Sequence, residues 1–186
     1  VTGFGARGPY AERPAFDFIT QAMSGFMSCN GTPDTGPLRT GAPISDLVAG
    51  LYAALGTVAA LFRRTQTGQG ERVGVAMLDG MLSLGAFLNA SVLATGQPPV
   101  ATGNDHPLVA PYGLFAAQDG ELAVAPSNDG VYAKLLQALD LTALHEQPEF
   151  RTNDLRVQHR TAINAHITAR LAQAPERRRS GEPRYL

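Results

Sequence analysis

The sequence predicts an α/β lobe followed by a smaller α+β lobe. Three observations predict it. Two long apolar stretches of helical character, 45–65 and 78–95, lie close together in the first half, and strand-like runs at 1–4 and 72–75 accompany them. A Gly/Pro-rich stretch, 96–111, then interrupts the pattern. Beyond it, two alternating runs flank Asp119-Gly120, a strong short hairpin signal, and further helical runs follow. Elements grouped in this way belong to layered α/β and α+β architectures.

Each element has a local reason. Val1–Phe4 reads as a short strand and 5–14 as a loop dominated by Gly and Pro. Apolar residues at 16, 18, 19, 22, 23 and 26 make a helical stripe over Phe16–Phe26. Turn residues Pro33-Asp34 and Gly36-Pro37 mark 30–43 as loop. Ser45–Thr65 is a strong helix ended by Gly68-Gln-Gly70. Within it, 47–62 is too short for a comfortable membrane span and rich in Gly and Ala, so it reads as a buried helix. Arg72–Val75 reads as a strand, and Leu78–Thr95 as a second long helix. After the linker come strands at 113–117 and 121–125. A helix over Ser127–Leu139 follows, capped by Ser127 or Asn128, and another over Asn153–Ala172.

Composition narrows the function classes. The 186 residues fit one domain or one and a half, with a net charge of −1. Basic residues are scattered apart from Arg177-Arg178-Arg179, so nothing points to nucleic acid. Cys29 is the single cysteine; no internal disulfide is possible, and a reducing cytosol suits the chain. The four histidines, at 106, 145, 159 and 166, lack metal-ligand spacing. No signal peptide is visible. The opening Val-Thr-Gly-Phe, strand-like and without an initiator Met, and the loss of periodicity after Ala174 read as an internal piece of a longer protein.

Asp46 is the most informative residue. It stands between a Gly/Pro-rich approach and a long apolar helix, where first-turn N–H groups are unpaired and the macrodipole favours negative charge. A carboxylate there either caps the helix or serves as a nucleophile. A second motif is set aside. Gly3-Phe-Gly5-Ala-Arg-Gly8 matches G-x-G-x-x-G, but Pro9 follows and no helix opens at the glycines, so a dinucleotide site is rejected.

Taken together, these segments resemble the class III CoA-transferase family, which includes carnitine and formyl-CoA transferases. The matching pieces are Gly3-Phe-Gly-Ala-Arg-Gly-Pro-Tyr10, Asp17-Phe-Ile-Thr-Gln-Ala-Met-Ser-Gly25 and Gly41-Ala-Pro-Ile-Ser-Asp46. They continue with Thr67-Gly-Gln-Gly70, Val75-Ala-Met-Leu-Asp79, Gly103-Asn-Asp-His-Pro107, Ala110-Pro-Tyr112 and Asn128-Asp129. The resemblance covers about residues 1 to 172, and its strength lies in the order and spacing of the pieces.

The resemblance implies part of a Rossmann-like large lobe followed by a smaller α+β lobe. It divides the chain into 1–95, a partial large lobe with the catalytic Asp, and 96–112, a linker and active-site loop. The small lobe spans 113–173, and 174–186 is a polar tail open to disorder. It implies a cytoplasmic enzyme, an interlocked homodimer at full length, acting on neither nucleic acid nor membrane. Coenzyme A and acyl-CoA would be its substrates, with a carboxylic acid as acceptor and no permanently bound cofactor. Asp46 falls on the family's nucleophile, which forms an acyl anhydride and then an aspartyl-CoA thioester.

Substrate or CoA contacts fall on Phe16, Met77, Gly103, Asn104, His106 and Asn128. For Phe16 and Met77 core packing is an equal reading, and a loop histidine such as His106 is often a plain surface residue. One alternative is an α-methylacyl-CoA racemase of the same fold. Racemases carry a histidine before the first-helix aspartate and a glutamate after the small-lobe strand, where this chain has Phe16 and Asn128. A truncated, non-catalytic remnant is the other.

Overall fold

In the computed structural model, residues 1–118 and 120–173 are described. The tail at 174–186, with its arginine cluster, and Asp119 of the hairpin signal lie outside them. The structure is a mixed α/β chain that divides into two compact units, Val1–Gly103 and a second beginning at Asn104.

The first unit is helical. Helix α1 spans Asp17–Met23, and a single 3₁₀ turn, Phe26–Cys29, follows it. The expected continuous helix to Phe26 is interrupted because Gly25 takes a left-handed conformation, φ 76°. Helix α2 runs Ile44–Thr67 and ends at Gly68, whose N–H donates to the Arg64 carbonyl at 2.8 Å.

The single helix expected over 78–95 is two: α3, Met77–Leu84, and α4, Ala86–Thr95, bent by 80°. The break has a specific cause. Asn89 folds back so that its Nδ2 donates to the Leu82 carbonyl at 2.6 Å, over Gly85, where a Cβ would lie 2.3 Å from that side chain. Ala86 then adopts φ 37°, which ends the α3 ladder.

The strands expected at 1–4 and 72–75 reduce to one parallel bridge, Thr2 to Ala76. Thr2 N–H donates to the Val75 carbonyl at 2.9 Å, and Met77 N–H to the Thr2 carbonyl at 2.8 Å. The pairing goes no further because Gly5, at φ 90°, turns one chain away and α3 begins at Met77 on the other.

The buried reading of the 47–62 helix is also corrected. Only Ser45, Val48 and Ala49 of α2 are buried, and α2 is long and apolar enough, by length and composition, to cross a membrane. Leu47, Leu51, Leu55, Val58 and Phe62, spaced four, four, three and four apart, form an exposed apolar stripe along it.

The second unit is an α+β sandwich in miniature. Strands β1, Gly113–Ala117, and β2, Gly120–Val124, pair antiparallel with Gly113 opposite Val124. Helices α5, Asp129–Ala138, α6, Asn153–Gln158, and α7, Arg160–Leu171, follow. The helix expected over 153–172 is split at His159, which has φ −105° and ψ 27°. Phe115, Val124, Tyr132, Leu136, Phe150, Ile163 and Ile167 form one closed core. The sheet contributes alternate residues to it, as a strand with one solvated face must.

Candidate active site

Asp46 is the third residue of α2 and is exposed. It does not cap the helix. The cap position is Pro43, which has no side-chain hydrogen bond to offer. Asp17 of α1 does that work from 28 residues away: its Oδ1 accepts from both the Ser45 N–H and the Ser45 hydroxyl at 3.0 Å. Its Oδ2 accepts from Gln21 Nε2 at 2.7 Å, and Gln21 Oε1 accepts from the Thr40 N–H at 3.0 Å. Thr20 closes the network with a 2.7 Å bond to the Ser45 hydroxyl. Thr20, Gln21 and Ser45 are fully buried.

The consequence is a division of labour between two carboxylates. Asp17 takes up the Ser45 N–H at the open end of α2 and, through Gln21, fixes the approach at Thr40, while the Asp46 carboxylate takes part in no hydrogen bond or ion pair among the described residues. A carboxylate spared from capping, in the first turn of a helix of 24 residues, can meet an electrophile. Gln21, Thr20 and Ser45 carry no local sequence signature for this role. Only the pairing of Asp17 with a helix start far along the chain reveals it.

The other expected residues are distributed as follows. Phe16, at the head of α1, is 78% exposed, so the core reading does not hold for it. Met77 opens α3 and is 7% exposed, in line with packing. Gly103 has φ 64°, donates its N–H to the Gly31 carbonyl at 2.7 Å, and would bring a Cβ within 3.2 Å of Thr32. A close approach in a left-handed conformation is a glycine position. A cavity of about 460 Å³ in the same unit is lined by Phe26, Cys29, Met81, Leu88, Val92 and Pro98 among others; Asp46 does not line it.

In the second unit Asn104 is exposed. His106 is half-buried, with its ring 5.0 Å from that of Tyr112. Its Nδ1 accepts from the Leu108 N–H at 3.1 Å, which leaves the imidazole hydrogen on Nε2. Asn128 is the N-cap of α5: its side chain accepts from the Val131 N–H at 3.0 Å. The cap accounts for that oxygen structurally and leaves the amide nitrogen for another partner.

Sequence reasoning passed over Arg156, the most elaborately held polar residue of this unit. It is 2% exposed, and its Nε, Nη1 and Nη2 donate to the Ala110 carbonyl, the Phe150 carbonyl and Asp129 Oδ1 at 2.9, 3.1 and 2.7 Å. Its Cζ lies 4.1 Å from the centre of the Tyr132 ring. The signal available was an Arg inside an otherwise apolar–polar helical pattern, which reads as a solvated position.

The sequence pattern of CoA-transferase family III matches residues 1–179. The succinate–glutarate CoA-transferase of Agrobacterium fabrum is 36% identical over 90% of this chain and 42% of its own length. The acetyl-CoA:oxalate CoA-transferase of Acetobacter aceti is 38% identical over 94% of this chain and 45% of its own. Among solved structures, a CAIB/BAIF family protein from Brucella suis superposes with a TM-score of 0.75 at 38% identity, over 94% of this chain and 46% of that one. A Mycobacterium tuberculosis protein gives a TM-score of 0.80 at 24% identity, a likeness of fold. The chain spans less than half the length of the curated relatives it matches. By sequence pattern and relatives alike, it belongs to CoA-transferase family III.

Proposed function

We propose that this chain is the part of an acyl-CoA:carboxylate CoA-transferase that carries the nucleophile, Asp46. The observation that carries the reading is the spared carboxylate: Asp17 takes over the end of α2 and Asp46 is left exposed in its first turn. In the reaction an Asp46 carboxylate oxygen attacks the thioester carbonyl. The C–S bond breaks, CoA leaves as the thiolate, and a mixed anhydride remains. The thiolate attacks the Asp46 carbonyl, expels the donor acid as its carboxylate, and forms an aspartyl-CoA thioester. The acceptor carboxylate attacks the aspartyl thioester carbonyl, its C–S bond breaks, and a second mixed anhydride joins Asp46 to the acceptor. The released CoA thiolate then attacks the acceptor's acyl carbon and expels the Asp46 carboxylate, giving the new acyl-CoA. The anhydride demands exclusion of water, and main-chain N–H groups near Asp46 are candidate donors for the oxyanion.

The two relatives named for succinate, glutarate and oxalate point to small dicarboxylic acids as the first substrates to try. The apolar stripe on α2 supports packing against further protein, which the reading takes to be the rest of a Rossmann-like large lobe and the second subunit of a homodimer; the single cysteine, Cys29, suits a cytoplasmic setting. The experiment is CoA exchange by the full-length parent between acyl-CoA donors and a panel of such acids. Asp46→Ala should lower turnover by at least about 10³-fold with the fold intact. Hydroxylamine trapping with mass spectrometry should mark Asp46 in the acyl-CoA-treated enzyme. Transfer at the unaltered rate by Asp46→Ala removes the assignment.

A further inference from the structure

The loop that carries His106 is held by side chains from α6 and α7 at positions 153, 156 and 160, all within the second unit. Asn153 Nδ2 donates to the Leu108 carbonyl at 2.8 Å, and its Oδ1 accepts from the Ala110 N–H at 3.3 Å. Arg156 Nε donates to the Ala110 carbonyl at 2.9 Å. Arg160 Nη2 donates to the carbonyl of His106 itself, at 2.6 Å. Residues 106, 108 and 110 are therefore gripped through their main chain, by side chains from both sides of the break at His159.

The two arginines among these side chains differ in a way that separates stability from placement. Arg156 uses Nε, Nη1 and Nη2, each on a partner of its own, as a buried guanidinium built into a core should. Arg160 does not. Its Nη1 is buried and has no hydrogen-bond partner among the described residues, while Nη2 makes its short bond to His106. A buried unsatisfied donor is a cost to folding. The side chain is held where the His106 carbonyl needs it, not where its own donors would all be met. The imidazole itself meets the Leu108 N–H at Nδ1 and the Tyr112 ring, and the main-chain N–H of His106 donates to the Tyr112 carbonyl at 3.4 Å.

We infer that Arg160 is a positioning residue: through the carbonyl of His106 it sets that imidazole for CoA transfer. The inference rests on the function proposed above, since it takes the 104–112 loop to face substrate. Arg160 touches no reacting atom in this role and acts through His106 alone.

The test is a double-mutant cycle in the full-length parent, with hydrogen exchange read alongside. Arg160→Met should lower kcat by about 10- to 100-fold with a much smaller change in KM. Arg160→Lys, which keeps a cationic N–H donor, should recover most of the loss. In a His106→Ala background, Arg160→Met should cost nothing further, because its effect passes through the imidazole. Amides of 104–112 should exchange faster in Arg160→Met while those of β1 and β2 stay protected. Lys134→Gln, an exposed position on α5, is the control for charge.

A kcat within twofold of the unaltered enzyme, or losses that multiply in the double variant, overturns the inference. Should the methionine variant not fold, Arg160→Gln takes its place in the cycle with the same two outcomes. A parent that exchanges no CoA at all refutes the proposed function instead, and loop exchange still decides whether Arg160 holds His106.

Discussion

The two units of this chain solve the problem of burial differently. The second, from Asn104, closes a core from two strands and three helices, with Tyr132, Leu136, Phe150, Ile163 and Ile167 almost wholly removed from solvent. The first, Val1–Gly103, buries Val48, Ala49, Ala76, Met77 and Met81 together with the polar Thr20, Gln21 and Ser45. It leaves the largest side chains of α2 outside: Leu51, Leu55 and Phe62 are each at least 66% exposed. One unit is held by an apolar core. In the other, a buried hydrogen-bond network around Asp17 accounts for much of what is fixed. The candidate nucleophile, Asp46, directly follows Ser45 of that network and is no part of an apolar core. That is a reasonable place for it, because a polar network sets direction as well as distance, whereas apolar packing is non-directional.

The contrast is broken or sharpened most strongly by matched leucine truncations. Leu136→Ala, in the closed core, should destabilise its unit by about 2–5 kcal/mol, the usual result of emptying a buried leucine site. Leu55→Ala, on the exposed stripe, should stay within about 0.5 kcal/mol in dilute, monomeric chain. Denaturant unfolding of the two variants measures both. A Leu55→Ala effect as large as that of Leu136→Ala would mean the α2 stripe is packed in solution. If that effect fades on dilution, self-association is the packing.

A smaller effect tests the polar side of the comparison. Asp17→Ala removes the acceptor for the Ser45 N–H, the Ser45 hydroxyl and Gln21 Nε2 together. The loss should be about 1–2 kcal/mol, the range for a helix cap with a further buried hydrogen bond. It should fall on the first unit alone. Site-resolved hydrogen exchange would show faster opening at the start of α2 and unchanged protection in β1 and β2. Equal loss of protection in both units would show that they unfold as one, and that the division drawn here has no energetic meaning.

What the sequence disclosed follows the same divide. The second unit was legible because its signals are local: strand alternation on either side of the hairpin, an Asn at the start of α5, and apolar periodicity in α7. The start of α2 was legible too, though the chemistry at it was only half readable. A carboxylate near a helix start looks like a cap, and the residue that in fact caps lies 28 positions earlier on another helix. The break between α3 and α4 was missed because it depends on Asn89 reaching back over Gly85, a tertiary choice that apolar periodicity does not encode. Arg156 was missed for the same kind of reason: its partners Ala110, Asp129 and Phe150 are scattered through the second unit. Burial of α2 was expected from apolar content, yet content shows that a helix has something to bury and not that a partner lies within reach.

The smallest expected effect probes the Tyr132 hydroxyl, a buried polar atom of the second unit without a hydrogen-bond partner among the described residues. Tyr132 is fully buried, its hydroxyl has no hydrogen-bond partner among the described residues, and its ring lies under Arg156 and beside His145. Burial pushes the phenol up from its ordinary value; the Arg156 guanidinium works against that and Asp129 adds to it. The sign of the pH dependence follows. A phenol whose proton is held more tightly in the folded state leaves stability constant below the unfolded value, about pH 10, and stability falls as pH rises from there toward the folded value. Tyr132→Phe removes that group. At neutral pH the variant should be as stable as the parent chain or more so, by up to about 1 kcal/mol, since an unsatisfied buried hydroxyl contributes nothing there. Above about pH 10 its unfolding midpoint should decline less steeply with pH than that of the unaltered chain. Identical slopes would mean that the Tyr132 phenol titrates alike in the folded and unfolded chain, and that water reaches a hydroxyl the packing leaves dry.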